Sequence, residues 1–145
     1  MKKILYSFFL IALIVGGCDL SSPEEASTGE IANALDALEL AFNLHHIDEI
    51  MVFYANSYLH NGDDIDDVLL DWEIRLNDFQ EMELSDIVIE LDGDRATVTC
   101  RRIFYVNGAS VQEWNEPEDN GDISYWSLVG DQWLIRGNEH IREDR

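Results

Sequence analysis

The sequence predicts an α+β fold, three helices followed by a curved antiparallel sheet. Two observations carry this. Apolar residues recur at helical spacing between Ile31 and Phe79, and the period changes to strand-like alternation after Gln80. The pairs Asp92-Gly93 and Asn107-Gly108 then punctuate the second half as turns. Helices first and hairpins second is an α+β arrangement.

The chain has 145 residues, enough for one domain with appendages, and no internal repeat is visible. Its hydrophobic content of 46%, with four Trp, excludes a disordered chain despite a formal charge of −21. Such a charge repels phosphate backbones, so no nucleic-acid partner is expected. It also opposes adhesion to anionic lipid, so any membrane attachment must be hydrophobic.

Lys2 and Lys3 precede an apolar run from Ile4 to Val15, which is too short to span roughly 30 Å of hydrocarbon. Gly16 and Gly17 supply the small residues a signal peptidase needs before its cut. The stretch Val15-Gly16-Gly17-Cys18 resembles the lipobox of bacterial lipoproteins. The resemblance implies removal of residues 1–17 and a thioether-linked diacylglycerol on Cys18, with acyl chains as the membrane anchor. It places the protein extracytoplasmically in the cell envelope, on either the inner or the outer membrane. An ordinary signal peptide or an uncleaved anchor is the alternative. Cleavage removes the only two lysines, leaving 30 acidic against 7 arginine side chains, a formal −23. Cys100 is then left without a partner within the chain, so no internal disulfide is expected.

Residues 18–28 are small, polar and acidic around Pro23 and read as a solvated tether. The domain is expected over 29–145. Ile31, Leu35, Leu38 and Phe42 mark a first helix that Ser27 or Thr28 could cap. A shorter helix follows, with Ile47, Ile50, Met51 and Tyr54 toward the core. Asn61-Gly62 is a turn. Asp63, as N-cap with Asp66 three residues on, opens a third helix along Ile65, Leu69, Trp72, Leu76 and Phe79. Strands are expected over 84–91, 95–106 and 110–115, then a last hairpin over 123–129 and 132–137. Alternation in the central strand puts Ala96, Val98, Cys100, Arg102 and Phe104 on one face.

This order of elements resembles the nuclear transport factor 2-like superfamily, a cone of three helices on a curved sheet. The Leu44-His45-His46-Ile47-Asp48 step, Asp94-Arg95-Ala96-Thr97-Val98, and Gly130-Asp131-Gln132-Trp133-Leu134-Ile135 carry the likeness. It implies a pocket between sheet and helices and dimerisation through the sheet. It says little of activity, since the fold hosts isomerases, dehydratases, hydrolases and binding modules.

Candidate ligand-binding residues are Tyr54, Tyr58, His60, Trp72, Arg102, Trp114 and Trp126, as aromatic walls and polar groups of such a pocket. A buried Arg102 needs a carboxylate or an anionic ligand. The bland reading makes the aromatics ordinary core and leaves Arg102 in solvent near the open end. His45 and His46 are adjacent and cannot form an i, i+4 metal pair. No nucleophile motif and no phosphate-binding glycine loop is present. Two acidic clusters, Asp63, Asp64, Asp66, Asp67 and Glu116, Glu118, Asp119, Asp122, invite a calcium reading. The second has a serine, Ser127, where an EF-hand needs a bidentate Glu, so no metal and no cofactor are expected. The sequence favours a non-catalytic domain that binds a small molecule or an envelope protein, with an isomerase- or dehydratase-type enzyme as the alternative.

Overall fold

A computed structural model describes residues 22–139. The lipobox, Cys18 and the last six residues lie outside that range. Helix α1 spans Pro23–Asn43 and begins earlier than expected. Ser22 is its N-cap: its hydroxyl accepts from the Glu25 N–H while the Glu25 carboxylate accepts from the Ser22 N–H. Pro23 suits the first turn because its missing N–H would have no helical partner there. Residues 23–28, expected as tether, are therefore helical: a complete capping box outweighs their polar composition. Ile31, Leu35, Leu38, Ala41 and Phe42 form the buried face.

His45 takes a positive φ of 59°, which turns the chain into the short α2, Ile47–Met51. Strands β1 (Leu59–His60) and β2 (Asp63–Asp64) pair across the Asn61-Gly62 turn. That pairing engages Asp63 opposite His60. The third helix, α3 (Ile65–Asp78), is consequently capped one residue later than the sequence reading placed it, by Asp64 with Asp67. Its buried face carries Val68, Trp72 and Arg75.

The sheet contains β3 (Glu81–Asp92), β4 (Arg95–Val106), β5 (Ala109–Glu116), β6 (Tyr125–Val129) and β7 (Gln132–Ile135), all antiparallel. Strand β4 runs through the middle. Its outer half pairs with β5 from Cys100↔Glu116 onward, and its inner half pairs with β6 over Arg95–Thr97 on the same edge. A register shift between Ser85 and Val88, with Asp86 at φ 54°, bends β3 around the helices. Ala96, Val98, Cys100, Arg102 and Phe104 all face the core, as alternation requires. Residues 53–60 pass beside β7: Ala55 N–H donates to the Ile135 carbonyl, and Ile135 N–H to that of Phe53. Among the described residues no helix is long and apolar enough to cross a membrane.

Candidate functional site: a sealed ion network in the core

The fold produces one chemically distinctive place, where the edge of β4 passes from β5 to β6. The chain must leave one strand and enter the next there, so residues 117–124 loop across the gap. Glu116, last in β5, and Asp122, in that loop, are thereby brought beside Arg102 of β4. Arg102 Nη2 donates to Glu116 Oε1, and to Asp122 Oδ1 at 2.8 Å. Arg75 of α3 donates to the other oxygen of Asp122 and lies 3.6 Å from Asp71 one turn back. Glu116 Oε2 accepts from the Gly121 N–H, which closes the loop on itself.

This network is out of solvent: Arg102 is 0% exposed, Glu116 1%, Asp122 3% and Arg75 6%. Two guanidinium groups face two carboxylates, so the formal charges cancel. Burial opposes the ionisation of Asp122, but Arg102 and then Arg75 outweigh it, and its pKa falls below the ordinary carboxylate value. Arg102 also resists deprotonation more than usual, despite burial, because Asp122 and Glu116 adjoin it. Aromatic rings cover what the carboxylates leave. The Arg102 guanidinium lies 4.6 Å from the Trp114 ring centre and 5.7 Å from that of Trp72; that of Arg75 lies 4.9 Å from Trp72 and 5.2 Å from Trp114. Arg102 Nε and Nη1 have no conventional acceptor, and these π faces take that place.

The residues singled out from sequence divide accordingly. Trp72 donates from Nε1 to the Tyr54 hydroxyl at 2.9 Å, and Tyr58 packs edge-on against Tyr54. Burial pushes both tyrosine pKa values up. His60, a candidate polar group of the pocket, is only 5% exposed. Its ring stacks on Tyr125 and its Nε2 is 2.9 Å from the Asn120 carbonyl, so the β1–β2 turn and the 117–124 loop clamp it. Trp126 belongs to the hydrophobic core, with Nε1 donating to the Ile123 carbonyl. Cys100 is buried, which pushes its thiol pKa up to about 12. The structure thus brings Tyr54, Trp72, Arg102 and Trp114 together, with Tyr58 adjoining.

Arg75, Glu116 and Asp122 are the members that sequence reasoning missed. Arg75 lies three residues after Trp72, on the same helical face, which was the available signal. Part of each acidic cluster is used internally. Asp64 and Asp67 cap α3, Glu116 and Asp122 turn inward, and Asp119 accepts from the Asn115 N–H. Among the described residues no three potential metal ligands are gathered.

No protein-family model matches the chain, and no curated protein matches it. Solved structures do. One is a protein of unknown function with a cystatin-like fold from Nostoc punctiforme: 10% identity, TM-score 0.62, covering 77% of this chain and 87% of that one. Another is an NTF2-like protein of unknown function from Shewanella oneidensis: 18% identity, TM-score 0.58, covering 77% and 95%. A third, from Streptomyces avermitilis, is a proposed dehydratase of the NTF2-like family: 12% identity, TM-score 0.55, covering 79% and 94%. Together with the helix order, the bent antiparallel sheet and the interior between them, these matches show that the chain has the nuclear transport factor 2-like fold.

Proposed function

We propose that this protein is a lipid-anchored component of a bacterial envelope, held by acyl chains on Cys18, whose domain binds a partner without catalysing a reaction. The lipobox-like stretch Val15-Gly16-Gly17-Cys18 supports the anchoring. The observation that carries the non-catalytic reading is the mutual pairing of Arg75, Asp122, Arg102 and Glu116 inside the cone. General acid–base chemistry needs a group within reach of substrate that exchanges a proton near neutral pH. Asp122 is driven further below that range, Tyr54 is raised further above it and accepts a hydrogen bond from Trp72, and water is excluded from all of them. An interior closed by charge pairs and indole rings leaves the outer surface to meet a small molecule or an envelope protein.

The dehydratase-style alternative draws on the Streptomyces neighbour and on the gathering of Tyr54, Tyr58 and Asp122. Two measurements separate the readings. Cross-linking and mass spectrometry on native membranes should recover a partner with the wild type, and the yield should fall with Cys18→Ser, which should also lose acyl labelling. Solvent-accessibility probes of Tyr54 and Trp72 should find both protected. Rapid probe access to Tyr54, or acyl labelling that survives Cys18→Ser, would overturn the corresponding half of the proposal.

A further inference from the structure

The early start of α1 leaves little chain between Cys18 and the folded domain. Ser22 is already part of the capping box, and four residue steps separate it from Cys18. A chain spans at most about 3.5 Å per residue whatever its conformation, so the Cα of Ser22 lies no more than about 14 Å from that of Cys18. The domain also has two distinct ends. Pro23, Glu24 and Ser27 of α1 line one surface groove together with Leu91 and Gly93 at the β3–β4 turn. The Leu128 N–H donates to the Asp94 carbonyl, which puts the β6–β7 turn at that same end. At the other end Asn43 of α1 exchanges hydrogen bonds with the Met82 backbone, and Gln80 meets Asn107 at the β4–β5 turn. Helix α1, with 21 residues, spans about 31 Å between them.

We infer that the end formed by the start of α1, the β3–β4 turn and the β6–β7 turn is the surface apposed to the lipid headgroups, with the β4–β5 turn directed outward. The inference rests on the proposed acylation of Cys18. The short connection sets the orientation, and charge sets the gap. The near end exposes Glu24, Glu25, Asp92, Asp94 and Asp131, with Arg95 half-buried beside them. Anionic headgroups repel this end, so it hovers at the limit of its short leash instead of adsorbing. The partner surface is therefore a lipid headgroup layer met at a short, charge-regulated gap.

The test uses the full acylated protein in vesicles of phosphatidylethanolamine and phosphatidylglycerol. A dye is placed on Asp131→Cys at the near end or Ala109→Cys at the far end, and a headgroup-linked acceptor reads proximity. Cys100 is buried and does not compete for the dye. Energy transfer should be severalfold greater from position 131, and should rise with salt as repulsion is screened. Inserting about ten Gly and Ser residues between Asp19 and Leu20 frees the domain to roam and should largely abolish the difference between the two dyes. Bound protein with equal transfer from both positions, or with the difference unchanged by the insertion, overturns the orientation alone. Failure to float with the vesicles overturns the anchoring together with it.

Discussion

Asp122 is the residue on which the interior depends, because it takes one guanidinium on each oxygen. Its pKa in the folded protein lies below the ordinary carboxylate value, about 3.9 in an unfolded chain. The sign follows from linkage. The stabilisation is complete above the unfolded value and is lost as pH falls through the lower, folded value. Asp122→Asn should cost about 3–5 kcal/mol at neutral pH, because two buried guanidinium groups lose a charged partner. It should also flatten the acid limb of a stability–pH curve. Denaturant melts of both proteins at several pH values check this, and an unchanged acid limb would assign acid sensitivity to other carboxylates. The sequence made half of this legible. Alternation along β4 put Arg102 on the core face, and a buried Arg102 called for a carboxylate or an anionic ligand. It could not say which, because Glu116 and Asp122 follow Arg102 by 14 and 20 residues through an acid-rich loop that reads as solvated.

At the scale of elements, the strands were the more legible. Strand β4 occupies the predicted Arg95–Val106, because a two-residue turn at Gly93-Asp94 and another at Asn107-Gly108 pin both ends. Helix starts were less so, since a capping box depends on which of several consecutive polar residues folds back. Serines and acids crowd both sites, and the deciding contacts lie outside the pattern: Pro23 for α1, and the Asp63–His60 pairing for α3. The first of these can be tested. Ser22→Ala removes the acceptor for the Glu25 N–H and should cost about 1 kcal/mol. The loss should appear as faster amide exchange in residues 24–28, with the helix beyond Ile31 held by its buried face. Uniform protection along α1 in the variant would show that packing, not the cap, holds its start.

For the whole molecule, charge is the dominant fact outside the core. A formal −21 on the chain repels itself, and the partly exposed pairs of Arg101 with Asp86 and Glu113 contribute little against it. Raising salt to about 1 M, where the Debye length is about 3 Å, should therefore raise Tm by several degrees. The Arg75–Asp122–Arg102–Glu116 network, closed to water and to ions, should not respond. Calorimetry of the wild type and Asp122→Asn across a salt series would show parallel rises. A fall in Tm with salt would mean that exposed ion pairs, not repulsion, dominate.

The same network also constrains the order in which the chain can assemble. Arg75 finds its carboxylate 47 positions later, in the loop before β6. A partly folded chain lacking that loop has no Asp122 for either guanidinium, and burying them unpaired is unfavourable. Helix α3 can thus dock firmly on β4 only once the last third of the chain has arrived. Tight closure is deferred to the end, so a partly assembled chain keeps its interior wet, with both guanidinium groups in water until residue 122 has joined them.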